Sequence, residues 1–234
     1  TLKKPELLAP AGSLSKLKFA FMYGADAVYI GGESFSLREA AENFSMAEIK
    51  EGIEYAHERG KKVYITANIL PHNDDLNGFK EYIKEVYEYG ADAIIVSDLG
   101  LFDIVKTTVP EFNIHISTQA NNVNYASANM WNKLGASRVI LARELSLQEI
   151  SEIRKNTPEE LELECFVHGA MCISYSGRCL LSNYMTGRDS NLGACAHPCR
   201  WKYYLMEEKG EGEYFPVVEN DRGTFIFNSK DLNM

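Results

Sequence analysis

Four of the chain's five cysteines lie between positions 172 and 199, spaced Cys172-x6-Cys179-x15-Cys195-x3-Cys199. Thiolates are nucleophiles, redox partners and soft metal ligands, so a gathered set of four points to one shared role. A structural zinc site shows two tight C-x2–4-C pairs, and only Cys195-x3-Cys199 approaches that. Iron–sulfur clusters accept wider spacing, because their ligands are loops wrapped round a larger inorganic core. Arg178, Arg188 and Arg200 interleave the thiols, and nearby positive charge lowers a thiol's pKa and offsets a thiolate-bound cluster. The bland alternative is four unrelated thiols in a loop, yet free cysteines usually hide in cores. Cys165 has that ordinary character: it sits in the apolar run Leu163-Glu164-Cys165-Phe166-Val167 and reads as a packing residue.

A second group of chemically able residues stands where apolar runs end. Asn68, Asp98, the trio Ser117-Thr118-Gln119, the pair Arg143-Glu144 and His168 each follow a β-branched stretch. If those stretches are parallel strands of a barrel, their ends converge on one face, where such folds build active sites. For any one position, a polar residue capping the next helix is the simpler explanation. Five such ends together favour a pocket. His168 and Glu144 are the candidate catalytic residues, His168 as a proton donor; Asn68, Asp98, Gln119, Arg143 and Arg178 are the candidate substrate-binding residues.

The elements that must carry them repeat. Gly24-Ala25-Asp26-Ala27-Val28-Tyr29-Ile30, Gly90-Ala91-Asp92-Ala93-Ile94-Ile95-Val96 and Gly135-Ala136-Ser137-Arg138-Val139-Ile140-Leu141 each place a Gly where a helix stops and a strand begins. Period changes predict strands near 6–10, 27–31, 62–68, 93–98, 113–118, 138–142 and 161–167. Helices are predicted near 13–23, 46–59, 76–89, 99–107, 122–134 and 146–155. Continuous apolar strands alternating with helices imply a covered parallel sheet. Seven strands fit an open doubly wound sheet or most of a (β/α)8 TIM-like barrel. Pro10-Ala11-Gly12-Ser13 is a helix start and not a dinucleotide fingerprint, so the barrel is favoured. Residues 1–168 form this core, and 169–202 a Cys-rich loop without periodicity. Residues 203–234 read as short strands, Lys202 to Glu207, Tyr214 to Val218 and Thr224 to Phe227, with a turn at Gly210-Glu211-Gly212. The pattern breaks off at Met234, as in a fragment that continues.

Composition sets outer limits. The 234 residues are 45% hydrophobic and 24% charged, which excludes collagen-like, coiled-coil and disordered classes. A net charge of −9 argues against gripping nucleic acid by bulk charge but permits a local basic patch. No apolar run approaches the ~20 residues of a membrane span, and Thr1-Leu2-Lys3-Lys4-Pro5-Glu6 is not a signal peptide. A cytoplasmic protein with reduced thiols is expected.

The runs Glu164-Cys165-Phe166-Val167-His168-Gly169-Ala170-Met171-Cys172 through Gly177-Arg178-Cys179-Leu180-Leu181-Ser182, and Arg188-Asp189-Ser190-Asn191-Leu192-Gly193-Ala194-Cys195-Ala196-His197-Pro198-Cys199-Arg200-Trp201, resemble the signature of the U32 peptidase family. The opening Pro5-Glu6-Leu7-Leu8-Ala9-Pro10-Ala11-Gly12 resembles it too, so the likeness spans essentially the whole chain. The family takes its name from collagenase-like proteolysis, yet several members are oxygen-independent hydroxylation proteins with a [4Fe–4S] cluster. They act on a ubiquinone precursor, on ribosomal RNA, or on tRNA to give 5-hydroxyuridine at the wobble position. Some members place the fourth cysteine in the motif that reads here Ser229-Lys230-Asp231-Leu232-Asn233. This chain has Asn233 there and supplies Cys199 instead, as in the tRNA-hydroxylating branch. The resemblance thus implies Cys172, Cys179, Cys195 and Cys199 as ligands of one cluster. It also implies prephenate as hydroxyl source, with Arg143 and Arg178 as cations for its carboxylates. Members of that branch are longer, which implies tRNA binding through a C-terminal region, and a related U32 subunit is a candidate partner.

Three functions compete. An RNA-modifying protein has Arg188, Arg200 and Lys202 as a local track for phosphates. A peptidase would need H-E-x-x-H, which is absent, or a Cys–His pair such as Cys172 with His168; thiols that bind a cluster are not free to be nucleophiles. A non-catalytic iron–sulfur subunit is the third. A radical-SAM enzyme fits poorly, since Cys195-x3-Cys199 lacks the following C-x2-C.

Overall fold

The computed structural model describes residues 4–33, 35–36 and 43–202, with the backbone of 204–206, 214–216, 219–220, 223–224 and 231–233. Seven strands form one sheet in sequence order: β1 (Leu8–Pro10), β2 (Ala27–Gly31), β3 (Lys62–Ala67), β4 (Ala93–Val96), β5 (Ile114–Ile116), β6 (Arg138–Ile140) and β7 (Glu162–Glu164). Every neighbouring pair is parallel. The connecting helices are α1 (Leu14–Met22), α2 (Met46–His57), α3 (Phe79–Glu88), α4 (Leu99–Thr108), α5 (Tyr125–Leu134) and α6 (Leu147–Lys155). The result is a curled parallel sheet of the expected βα order, and among the described residues no eighth strand joins it.

Local chemistry explains the boundaries. Ser13, Asp98 and Asn124 cap α1, α4 and α5 by accepting from backbone N–H groups three residues on. Ser45 with Glu48, and Ser146 with Glu149, make capping boxes on α2 and α6. At the repeated junctions Gly24, Gly90 and Gly135 have φ of 101°, 91° and 104°, left-handed values that Gly adopts without a Cβ clash. The Asp in two of the repeats ties the preceding strand in place: Asp26 accepts from Leu7 N–H at 3.0 Å and Asp92 from Val63 N–H at 2.8 Å.

Two apolar layers follow. Outside the curl, Val28, Ile30, Val63, Ile65, Ile94 and Ile116 pack on Leu17, Ile49, Ile53, Ile83 and Leu101 of the helices, all fully buried. Inside, Ala27, Ala93, Ile95 and Ile140 surround Tyr64. The small alanines there leave room for polar bulk at the N-terminal ends of the strands. Arg138, 6% exposed, donates to Glu162 (2.6 and 2.8 Å), Glu6 (2.9 Å) and Glu164 (3.1 Å), and the Tyr64 hydroxyl donates to Glu6 at 2.8 Å. A cavity of about 260 Å³ beside it is lined by Tyr64, His115 and Arg138 among others. Burial, with Arg138 and Lys62 adding to it, pushes His115 well below the usual imidazole value.

Two expectations need correction at the far edge. The seventh strand stops at Glu164 and does not run to 167, and Cys165 beyond it is exposed, not packed. Among the described residues β7 pairs in this sheet on one side only, so the chain can peel away there to start β8 (His168–Ala170). Further on lie α7 (Leu181–Thr186), β9 (Tyr204–Met206), β10 (Tyr214–Pro216), β11 (Glu219–Asn220), β12 (Gly223–Thr224) and β13 (Asp231–Asn233). β9 pairs with β10, β11 with β12 and β8 with β13, all antiparallel. The expected turn at Gly210-Glu211-Gly212, and the strand continuations at 207, 217–218 and 225–227, lie outside the described residues.

Candidate functional site

Parallel strands put all their C-terminal ends on one face, and segment 175–191 is hydrogen-bonded to that face at several points. Arg178 Nε donates to the Gln119 carbonyl at 2.8 Å, and Leu70 N–H to the Asn191 carbonyl at 3.1 Å. Asn121 Nδ2 donates to the Tyr175 carbonyl at 3.5 Å. Glu144 takes both donors of Ser176, the N–H at 2.6 Å and the hydroxyl at 3.1 Å. Ser176 is fully buried with φ of 49°, a left-handed value that costs a non-Gly residue of order 1 kcal/mol, and the Glu144 bonds hold it there. Gly177 next to it has φ of 87° and lies against the Arg143 guanidinium.

Several strand-end candidates therefore meet. Asn68 Nδ2 donates to Gln119 Oε1 at 3.3 Å, and the Ser117 hydroxyl donates to the same oxygen. Arg143 stacks over the Phe166 ring, 5.9 Å from its centroid. Asp98 stands apart: its carboxylate accepts from Leu101 N–H at 2.9 Å as the N-cap of α4. Glu144 is spent on anchoring Ser176. His168 is exposed and opens β8, where its register partner is Asn233.

All four thiols are free of disulfides. Burial pushes Cys172 up, and it also feels Arg143 and the thiols of Cys179 and Cys195; Cys199 is likewise raised by burial and feels the other three. Cys179 differs. Burial raises it, but hydrogen bonds from Ser174, Ser182, Leu181 and Ser190 outweigh burial and bring it below the usual thiol value. Leu181 N–H donates to Cys179 Sγ and His197 N–H to Cys195 Sγ, each at 3.3 Å. Among the described residues no three His, Cys, Asp or Glu side chains lie close enough to hold a single metal ion. Cys199 lies within electrostatic reach of the other three thiols, and with amide donors to sulfur and Arg143 near Cys172 the set fits the donor chemistry of a larger iron–sulfur core.

Sequence reasoning missed three positions. Asn191 clamps the Cys179 segment, its Oδ1 accepting from Cys179 N–H at 3.2 Å and its Nδ2 donating to the Cys179 carbonyl at 2.9 Å. Ser176 locks the turn to Glu144. Asn122 is 1% exposed with neither carboxamide atom hydrogen-bonded. Only the unusual density of Asn and Ser around the cysteines signals the first two, and nothing local signals the third.

The tRNA hydroxylation protein P of Escherichia coli is 44% identical to this chain, the match covering 98% of the chain and 59% of that protein. A 23S rRNA 5-hydroxycytidine synthase of Escherichia coli is 38% identical, over 93% of the chain and 33% of the synthase. The chain spans about half the length of the curated relatives it matches. A solved U32 peptidase shares the fold, with a TM-score of 0.57 and 18% identity over 70% of this chain and 71% of that one. No helix among the described residues is long and apolar enough to cross a membrane. Strands β2 to β7 and the thiol segment lie within the residues 12–234 that match the model of peptidase family U32, and the chain belongs to that family.

Proposed function

We propose that this chain is the cluster-holding part of an RNA-hydroxylating protein that forms 5-hydroxyuridine at the tRNA wobble position without molecular oxygen. One observation carries the reading. A segment bearing four cysteines, all free of disulfides, is hydrogen-bonded across the strand ends of a barrel-like sheet, in a chain 44% identical to a tRNA hydroxylation protein. Cys172, Cys179, Cys195 and Cys199 would hold a [4Fe–4S] cluster, which supplies electron-transfer chemistry when bound.

The chain's own residues bind and orient. Arg143, stacked on Phe166 and facing the Gly177 turn, gives a cation for a carboxylate-bearing hydroxyl donor such as prephenate. Arg178 is held at the same place by its bond to the Gln119 carbonyl. The Asn68–Gln119 bond fixes two carboxamides at the mouth, and buried Asn122 offers an amide for a ligand to satisfy. Glu144 is a positioning residue that keeps the Ser176 turn closed. With tRNA as substrate the protein would act in the cytoplasm, and a C-terminal region or a related U32 subunit would complete the grip on tRNA.

Peptide hydrolysis is the second reading, favoured by the family's description. Against it, among the described residues no His ring is hydrogen-bonded to a Cys sulfur, and a four-thiol ligand set leaves none of these cysteines as a nucleophile. Deleting the gene and analysing digested tRNA by mass spectrometry separates the two. The expected result is loss of 5-hydroxyuridine-derived nucleosides, restored by the wild-type gene and not by Cys179→Ala. Unchanged nucleosides in a strain with no second such gene would refute it. Peptide cleavage that survives both Cys179→Ala and iron removal would put the peptidase in its place.

A further inference from the structure

The acidic chain carries a basic stretch around the thiols. Residues 169–202 hold Arg178, Arg188, Arg200 and Lys202 against the single carboxylate of Asp189, in a protein whose net charge is −9. All four cations are exposed. The same stretch displays large aromatic rings to solvent: Tyr184 is 90% exposed, Tyr175 52% and Trp201 47%. Tyr184, Arg188, Arg200 and Trp201 belong to one small unit. α7, which carries Tyr184, packs on the turn Pro198–Arg200 that precedes Trp201. Ser182 Oγ accepts from Ala196 N–H at 2.9 Å, and Arg188 Nη2 donates to the Cys195 carbonyl at 3.4 Å. Tyr184 and Arg188 therefore sit on the scaffold that carries Cys179, Cys195 and Cys199.

Large exposed rings are costly to leave in water and are common where unpaired bases stack. Interleaved Arg and Lys match a phosphate backbone, and an aromatic face accepts any base because every base has a π-face. We propose that the outer rim of this unit is the docking surface for single-stranded RNA. Tyr184 is the stacking platform for an unpaired base, and Arg188, Arg200 and Lys202 contact flanking phosphates. This rests on the RNA-hydroxylation reading and deepens it: the reacting strand is gripped beside the thiols, leaving any further region to hold the rest of the tRNA. The opposite charge of the remaining chain gives the RNA one preferred approach, over the thiol loop.

The test uses the full-length protein, prepared without oxygen, and a labelled anticodon stem–loop RNA followed by fluorescence anisotropy over a range of salt. Tyr184→Ala should weaken binding about tenfold or more, while Tyr184→Trp keeps it. Arg188→Ala with Arg200→Ala should weaken binding and lower the salt slope by about one for each phosphate that is no longer neutralised. Iron content should be the same in all of them, which separates a lost surface from a collapsed loop. Wild-type affinity and slope in these variants, with tRNA hydroxylation intact, would overturn the surface and leave the RNA reading standing. A change in self-association without a change in RNA binding would also overturn it, assigning the rim to a protein partner. A wild-type protein that neither binds the stem–loop nor hydroxylates tRNA would end both.

Discussion

Glu6 and Glu164 share one cation, Arg138, yet end on opposite sides of the ordinary carboxylate value. Burial raises Glu6, but hydrogen bonds from Tyr64 and Arg138, with the charges of Arg138 and Lys62, outweigh it, so its carboxyl sits below the ordinary 4.5. Glu164 lies deeper, and burial keeps it above 4.5 despite Arg138. Glu6 therefore adds stability that is fully present above pH 4.5 and is lost as the pH falls through its lowered folded value. Glu164 has the reverse sign: its ionisation costs stability above pH 4.5, and acid relieves the cost. Urea titrations across pH should show Glu6→Gln losing roughly 1–2 kcal/mol at neutral pH with a flatter acid limb. Glu164→Gln should lose less. Equal losses for the two would contradict this division. The four clustered cysteines and the strand-end polar groups could be picked out of the sequence, because residue type and spacing suffice to mark them. Their partners could not. Asp98 caps a helix, Glu144 anchors a turn and Cys165 is exposed, and each outcome depends on neighbours set by the fold.

Among the elements, α1 to α6 and β1 to β6 could be drawn from apolar period and Gly junctions to within a few residues, because both signals are local. β7 ends three residues short of its apolar run, since a strand with one neighbour among the described residues ends where that neighbour ends, and sequence does not mark an edge. β8 carries no local signal for a different reason: its partner, β13, lies some sixty residues away. The thiol segment is an element held by side chains more than by backbone ladder, with Glu144 and Asn191 as its clamps. Glu144→Ala should speed hydrogen exchange at Ser176 and Gly177 while the sheet amides keep their protection. Unaltered exchange there would mean the left-handed Ser176 turn stands without its anchor. Ser146→Ala, by contrast, removes the cap of α6 and should cost about 1 kcal/mol of global stability without touching iron content.

For the whole molecule, the curl is tied at one end and capped at the other. Arg138 on β6 reaches Glu6, 132 residues earlier and just before β1, while also bonding Glu162 and Glu164 on β7. Arg138→Ala leaves three carboxylates around an absent cation and should cost about 3–5 kcal/mol by urea unfolding at neutral pH. A loss under about 1 kcal/mol would show that the sheet holds its curl without this tie. At the capped end, Cys172, Cys179, Cys195 and Cys199 are proposed as one ligand set, which RNA hydroxylation would need. Counting iron in full-length protein purified without oxygen tests this most directly. The expected result is about four irons per chain with absorbance near ~400 nm, lost in Cys172→Ala, Cys179→Ala, Cys195→Ala and Cys199→Ala and retained in Cys165→Ala. Stoichiometric zinc without a visible band, or full iron retained in Cys199→Ala, would contradict it.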